Sequence, residues 1–298
     1  MLEISVIVIT YNTEWEKLQK TVDSILIQKN VNYEIIFADD GSEKQWDSKI
    51  KDYIPNDCKF IIANSNKNVG TVSNICNAIE FAQGKYIKVI SPGDYFFNEY
   101  SLQTWLDCLK KSNAKVSFCN AVYYKNPNIK IKTLASPCNS NLYDGNHRKS
   151  LFIDYLIAND TILGATLLGE KTVLKKYLFE INGRIKYAED YMIRLMIFDD
   201  IDICYVNYNL MFYESGEGVS TSGNAKWAAL LQKDFNASND ILKKRKNCVD
   251  LMQIKYQNYL NRLKENSSAH NKILKLLIFP SVIFYRIKMK FFPKKTNY

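Results

Sequence analysis

The chain has 298 residues, 47% hydrophobic and 24% charged, which excludes a disordered chain, a collagen-like chain and a bundle of membrane spans. The net charge of +9 is unevenly placed: residues 241–298 hold 14 Lys/Arg and 2 Asp/Glu, leaving 26 of the 40 basic and 29 of the 31 acidic residues in 1–240. A near-neutral body with a basic tail suits nucleic acid, an anionic membrane surface or an acidic partner. The seven cysteines include no CxxC pair. Neither a zinc site nor a disulfide framework is expected, which favours a reducing cytoplasm. The start, MLEISVIVIT, lacks a basic n-region and a cleavage site, so no signal peptide is expected. No window reaches the roughly 18 uninterrupted apolar residues of a spanning helix.

Ile4–Thr10 (ISVIVIT) is a nearly continuous β-branched run, the pattern of a strand covered on both faces. Trp15, Leu18, Val22, Ile25 and Leu26 recur at helical spacing. Tyr33–Ala38 predicts a second strand ending in Asp39-Asp40-Gly41-Ser42, and a short strand follows a polar segment at Lys59–Ala63. Val72, Ile75 and Ile79 mark a helix ending near Gly84, and Tyr86–Ile90 predicts a strand stopped by Ser91-Pro92-Gly93-Asp94. This βα alternation predicts a doubly wound α/β sheet with ligands at the carboxyl ends of its strands. Further on, Leu102–Leu109 and Ala188–Phe198 read as helices, Val116–Tyr124 and Ile203–Tyr213 as strands, residues 125–150 as a long polar loop, and Glu214–Gly223 as a small-residue loop. Lys110-Lys111 and Lys175-Lys176 read as solvated helix faces, and from Lys226 onward the pattern is helical and basic.

Polar residues gather where strands end: Thr10-Tyr11-Asn12 after the first, Asp39-Asp40 after the second, Asp94 after the fourth. An Asp in a turn often bonds only its own backbone, but three such ends in a doubly wound sheet face one crevice. Neither GxGxxG nor GxxxxGK[ST] is present, so a nucleotide needs another grip. Tyr11 can stack on a base, Asp39 can accept from a base N–H, and a divalent metal at Asp94 can neutralise a diphosphate.

The stretches ISVIVITYN, YEIIFADDGS, NKNVGTVSNICNAIEFAQGKYIKVISPGDYF and YAEDYMIRLMI, in that order, resemble family 2 glycosyltransferases of the GT-A fold, and YESGEGVSTS resembles a loop of bacterial surface-polysaccharide members. The resemblance implies inverting transfer from a nucleotide-diphosphate sugar. By position it implies that Thr10 and Tyr11 flank the base, Asp39 binds its imide edge, and Gly70 and Asn74 line the donor segment. Asp94 matches the last acid of the metal motif, and Asp190 of Glu189-Asp190 matches the catalytic base. The metal motif here reads SPGD, leaving Asp94 alone to hold a divalent cation, Mn or Mg. Some members supply a late His as a metal ligand; the chain has only His147 and His270, neither in the loop after Tyr213, and Glu214 or Glu217 is the candidate substitute. Inverting transfer needs one base opposite the leaving diphosphate, so a single carboxylate suffices. Read alone, Glu189-Asp190 would equally be first-turn acids at a helix N-terminus.

Residues 272–298 interleave large hydrophobes with Lys and Arg, the pattern of an interfacial helix on anionic lipid. The alternatives are a helix packed on the body or a homo-oligomer contact. No nucleic-acid-reading motif accompanies the charge. The expectation is a GT-A domain over 1–224 and a basic helical extension over 225–298, in a cytoplasmic enzyme peripheral to the inner face of the cell membrane. UDP is the favoured nucleotide and a saccharide, lipid-linked, the acceptor. A dTDP- or GDP-sugar donor and a non-catalytic nucleotide- or saccharide-binding subunit are the rival readings.

Overall fold

The computed structural model describes residues 2–125, 132–134, 139–158, 160–216, 224–246, 248, 250–264 and 267–283. Cys138, Glu217 with the rest of its loop to 223, and tail residues 284–298 lie outside the described residues. The strands are β1 (Ile4–Thr10), β2 (Tyr33–Asp39), β3 (Phe60–Ile62), β4 (Tyr86–Ile90), β5 (Tyr95–Phe96), β6 (Val116–Tyr124), β7 (Lys132–Leu134), β8 (Leu167–Glu170) and β9 (Ile203–Glu214). The helices are α1 (Trp15–Leu26), α2 (Asp47–Tyr53), α3 (Thr71–Ile79), α4 (Ser101–Ser112), α5 (Arg148–Phe152), α6 (Lys171–Ile181), α7 (Met192–Phe198), α8 (Ala225–Lys243), α9 (Leu251–Asn261) and α10 (Ser268–Ile278).

Among the described residues the strands form one sheet in the order β3-β2-β1-β4-β8-β6-β9-β5, with β7 paired to β6. β3, β2, β1 and β4 are mutually parallel. β8 is antiparallel to β4 and β6, while β6 and β9 run parallel. Side chains alternate across each strand. Ile4, Val6 and Val8 of β1 pack with the apolar stripe of α1 and with α4, whereas Ile7 packs with α3, α6 and α7. A strand covered on both faces has no polar side to show, which is why β1 reads as an unbroken apolar run.

The register sets the functional edge. Thr10 stands opposite Asp39, and Val8 opposite Ile90 just before Ser91. β5 then pairs antiparallel with β9, Tyr95 against Phe212, and so brings Asp94 beside Glu214. The expected helix over Ala188–Phe198 begins as a 3-10 turn at Glu189–Tyr191 and becomes α-helical only from Met192. The expected loop over 125–150 contains β7, a 3-10 turn and the start of α5.

Helices from α8 onward pack into the core they follow. Ile241, Leu242, Tyr256, Tyr259, Leu260, Phe279 and Val282 join the cluster that holds α3, α6 and α7. Buried Arg194 of α7 donates to Ser238 Oγ, to Asn239 Oδ1 at 2.7 Å and to Tyr256 Oη at 3.2 Å. Arg245 pairs with Asp199 and Glu180. The basic segment from 272 divides physically: α10 buries no residue, Ile273 and Leu277 are exposed, and Phe279 and Val282 just beyond it are core.

Candidate active site

The carboxyl ends of β1 and β2 are knitted by side chains. Thr10 Oγ1 donates to Asp39 Oδ2 at 2.9 Å, and the Ser42 N–H donates to Asp39 Oδ1 at 2.7 Å. Asp40 turns the other way and accepts the N–H groups of Val69 and Gly70 at 2.7 and 2.9 Å. It thereby anchors the loop that opens α3. Gly70 has φ +91°, and a Cβ there would lie 2.4 Å from the Lys186 side chain. Only glycine fits that crossing. Asn74 is buried, its amide donating to the Ala38 carbonyl at 2.8 Å.

A cavity of about 1020 Å³ opens along this edge. Thr10, Tyr11, Asn74, Asp94, Glu189 and Asp190 all reach it, so six of the eight expected site residues meet in one space. Asp39 stands behind the wall, its carboxylate taken by Thr10 and Ser42, and Gly70 lies under Lys186. Tyr11, half exposed, stands on the β1 side. Trp227 of α8 closes another wall, its ring edge-on to Tyr187 at 5.1 Å.

Glu189 and Asp190 are aimed by α8. The buried Asp234 carboxylate accepts three consecutive backbone N–H groups, from Lys186, Tyr187 and Ala188, at 3.0, 2.8 and 3.0 Å. That grip fixes the chain immediately before the acidic pair. Both residues are part-buried in the cavity wall. Burial is the largest influence on each and raises each pKa, with the Asp190 charge adding to Glu189 and the Asp234 charge adding to Asp190. Burial likewise pushes the Asp94 carboxyl up to about 7, against the pull of the Glu214 N–H, which donates to its Oδ1 at 3.0 Å. Adjacent desolvated carboxyls resist ionising together, so one can keep a proton while its neighbour acts as a base.

The sequence model of "Glycosyl transferase family 2" matches residues 5–165, more than half of the chain. The chain belongs to that family. The glycosyltransferase is 22% identical over 204 residues to the Escherichia coli UDP-Glc:alpha-D-GlcNAc-diphosphoundecaprenol beta-1,3-glucosyltransferase WfgD, covering 68% of this chain and 73% of that one. It is 29% identical over 92 residues to an uncharacterized glycosyltransferase of Methanocaldococcus jannaschii, a match spanning 30% of this chain and only 32% of that protein. Among solved structures, S. aureus TarS 1-349 in complex with UDP superposes with a TM-score of 0.55 at 17% identity, over 99% of this chain and 76% of that one. The mannosyltransferase PcManGT from Pyrobaculum calidifontis, in complex with GDP-Man and Mn2+, gives 0.58 at 11% identity, over 98% and 76%. At such identities the likeness shows the fold, the GT-A architecture.

Three features of the glycosyltransferase site escape sequence reasoning. Asp40 rather than Asp39 reaches the cavity. Asp234 belongs to a helix whose sequence carries no motif. Lys17 of α1 pairs with Glu214 of β9 beside Gly93, where a Cβ would meet both side chains. Among the described residues no three His, Cys, Asp or Glu side chains gather as a metal site. At the SPGD turn, among the described residues, the carboxylate on offer is that of Asp94, because that of neighbouring Glu214 is engaged by Lys17. The chain's residues therefore fit a divalent cation only where a ligand's own oxygens complete its shell.

Asp234→Asn leaves backbone N–H groups facing an amide, costing about 1–3 kcal/mol of stability. It is also expected to lower glycosyl transfer by up to ~10²-fold through misplacement of the acidic pair. The lost negative charge lowers the pKa of Asp190, so the acidic limb of the remaining activity moves to lower pH. Wild-type turnover with an unmoved limb in a pH–rate series would refute this coupling.

Proposed function

We propose that the chain is an inverting glycosyltransferase that moves a sugar from a UDP-sugar to a lipid-linked saccharide in cell-surface polysaccharide synthesis. The observation that carries the reading is the meeting of Tyr11, Asp94 and the Glu189–Asp190 pair in one cavity. The named activity of the E. coli relative supports the substrate class. A non-catalytic binding subunit would not need a desolvated acidic pair positioned by three backbone hydrogen bonds.

In the reaction, Asp190 takes the proton of the acceptor hydroxyl. The oxygen bonds to the anomeric carbon from the face opposite the diphosphate. The bond from that carbon to the diphosphate breaks, and its electron pair leaves with UDP. Glu189, raised by burial and by the Asp190 charge, is the proton holder of the pair and spares Asp190 a second adjacent charge. Tyr11 stacks on the base. Thr10 and Asn74 shape the donor wall, while Asp39 acts through Thr10 and Ser42. Because burial raises Asp190, the acidic limb of the rate profile lies above the ordinary Asp range.

Asp190→Asn is expected to reduce turnover by ~10²–10⁴-fold and to leave UDP affinity nearly unchanged. Near-wild-type turnover would remove Asp190 as the base, and a wild-type protein releasing no UDP from any UDP-sugar would sink the donor assignment.

Asp94 would hold a divalent cation against the donor's diphosphate, and the cation would supply positive charge to the leaving group. UDP affinity measured by calorimetry is expected to fall in excess chelator for the wild type and to be insensitive to chelator in Asp94→Ala. Equal wild-type affinity with Mn²⁺ and with chelator contradicts the placement.

Among the described residues no helix is long and apolar enough to cross a membrane. The exposed Ile273 and Leu277, together with the many cations that the sequence carries from Lys272 to its end, support peripheral contact with an anionic membrane surface. In this reading that surface is the inner face of the cell membrane. Ile273→Glu with Leu277→Glu is expected to reduce co-sedimentation with anionic vesicles while sparing donor hydrolysis. Equal sedimentation places the contact elsewhere.

A further inference from the structure

β4 and β8 pair only at Tyr86–Glu170 and Ile87–Gly169. Before β8 the chain makes a 3-10 turn over Gly164–Thr166, and the strands part. Lys88 of β4 spans that parting. Its side chain is fully buried, and its ammonium donates to the Val89 carbonyl at 2.7 Å and to the Ala165 carbonyl at 2.6 Å. The Trp105 ring centroid lies 5.3 Å from Nζ. A side-chain cation, in place of a main-chain N–H, ties the strand that leads to Asp94 to the turn before β8.

That turn bears on the base. A Cβ on Gly164 would lie 2.4 Å from Glu189 Oε1 and 3.5 Å from Asp190 Cβ. Val89, Gly164 and Ala165 line the same cavity as the acidic pair. Burying an ammonium is costly unless opposite charge accompanies it. The titratable groups facing Lys88 are the carboxyls of Asp94 and Glu189 and the thiol of Cys119. Burial nevertheless pushes Lys88 down to about 8.

We infer that Lys88 is a positioning residue for the transfer: by holding Ala165 it seats Gly164 against Glu189, and so sets the spacing between the Asp94 side of the cavity and the base side. Its charge also balances carboxylates on both sides. The inference rests on the reading of Asp190 as the base of a UDP-sugar transferase.

The test is UDP release from UDP-glucose and UDP-N-acetylglucosamine by the full-length protein, with UDP affinity read by calorimetry. Lys88→Met is expected to lower kcat by about 10²-fold, with KM for the donor and UDP affinity little changed. Gly164→Ala, which keeps Lys88 but displaces Glu189, is expected to lower kcat with donor affinity intact, and it decides the matter if the methionine variant fails to fold. Wild-type kcat in either variant overturns the inference. So does a Lys88→Met protein whose kcat and UDP affinity fall together, the signature of general disruption. Absence of UDP release by the wild type overturns the functional reading and the inference with it.

Discussion

One carboxylate, Asp234, holds the acidic side of the cavity in place. It draws three consecutive N–H groups onto itself and so fixes the direction in which Glu189 and Asp190 leave the chain. Asp234 lies on α8, beyond the residues that the family's sequence model matches. The rest of α8 is held in turn by Arg194, Arg245 and the apolar contacts of Ile241 and Leu242. The C-terminal helices thus finish a site that the sheet only begins. In the proposed reading the edge of the parallel strands supplies the donor side, and the helix after β9 supplies the aim of the base.

Electrostatics give the site its second constraint. Asp94, Glu189 and Asp190 line one cavity, and burial raises all three. Two lysines offset this crowding in different ways. Lys17 neutralises Glu214 at the β9 end, and Lys88 lies within the sheet with its ammonium on backbone carbonyls. A site so arranged has one group readily protonated beside one that must ionise, which is the division of labour that general-base chemistry requires.

Much of the first half was legible because its physics is local. β1, β2 and β4 are short apolar runs ended by turn residues, and α1 and α3 show a single apolar stripe. β5 has two residues and β8 four, too few for any periodicity to register. Asp39 and Asp40 are indistinguishable as letters. Their neighbours in β2 alternate between the two faces of the sheet, and only the packed structure says which carboxylate meets the cavity. Asp234 is one acid on a polar helix, and its role exists only once α8 has docked. Lys88 did leave a trace, since a lysine inside an apolar strand run is itself an anomaly. The basic tail was read as one block, yet Phe279 and Val282 are core while Ile273 and Leu277 face outward.

A crystal structure of the full chain with UDP tests the central claim most directly. The account predicts the base against Tyr11, the diphosphate beside Asp94, and Asp190 across the cavity with open space in front of it for an acceptor hydroxyl. A diphosphate seated on Glu189 and Asp190, or a nucleotide bound outside this cavity, would contradict it.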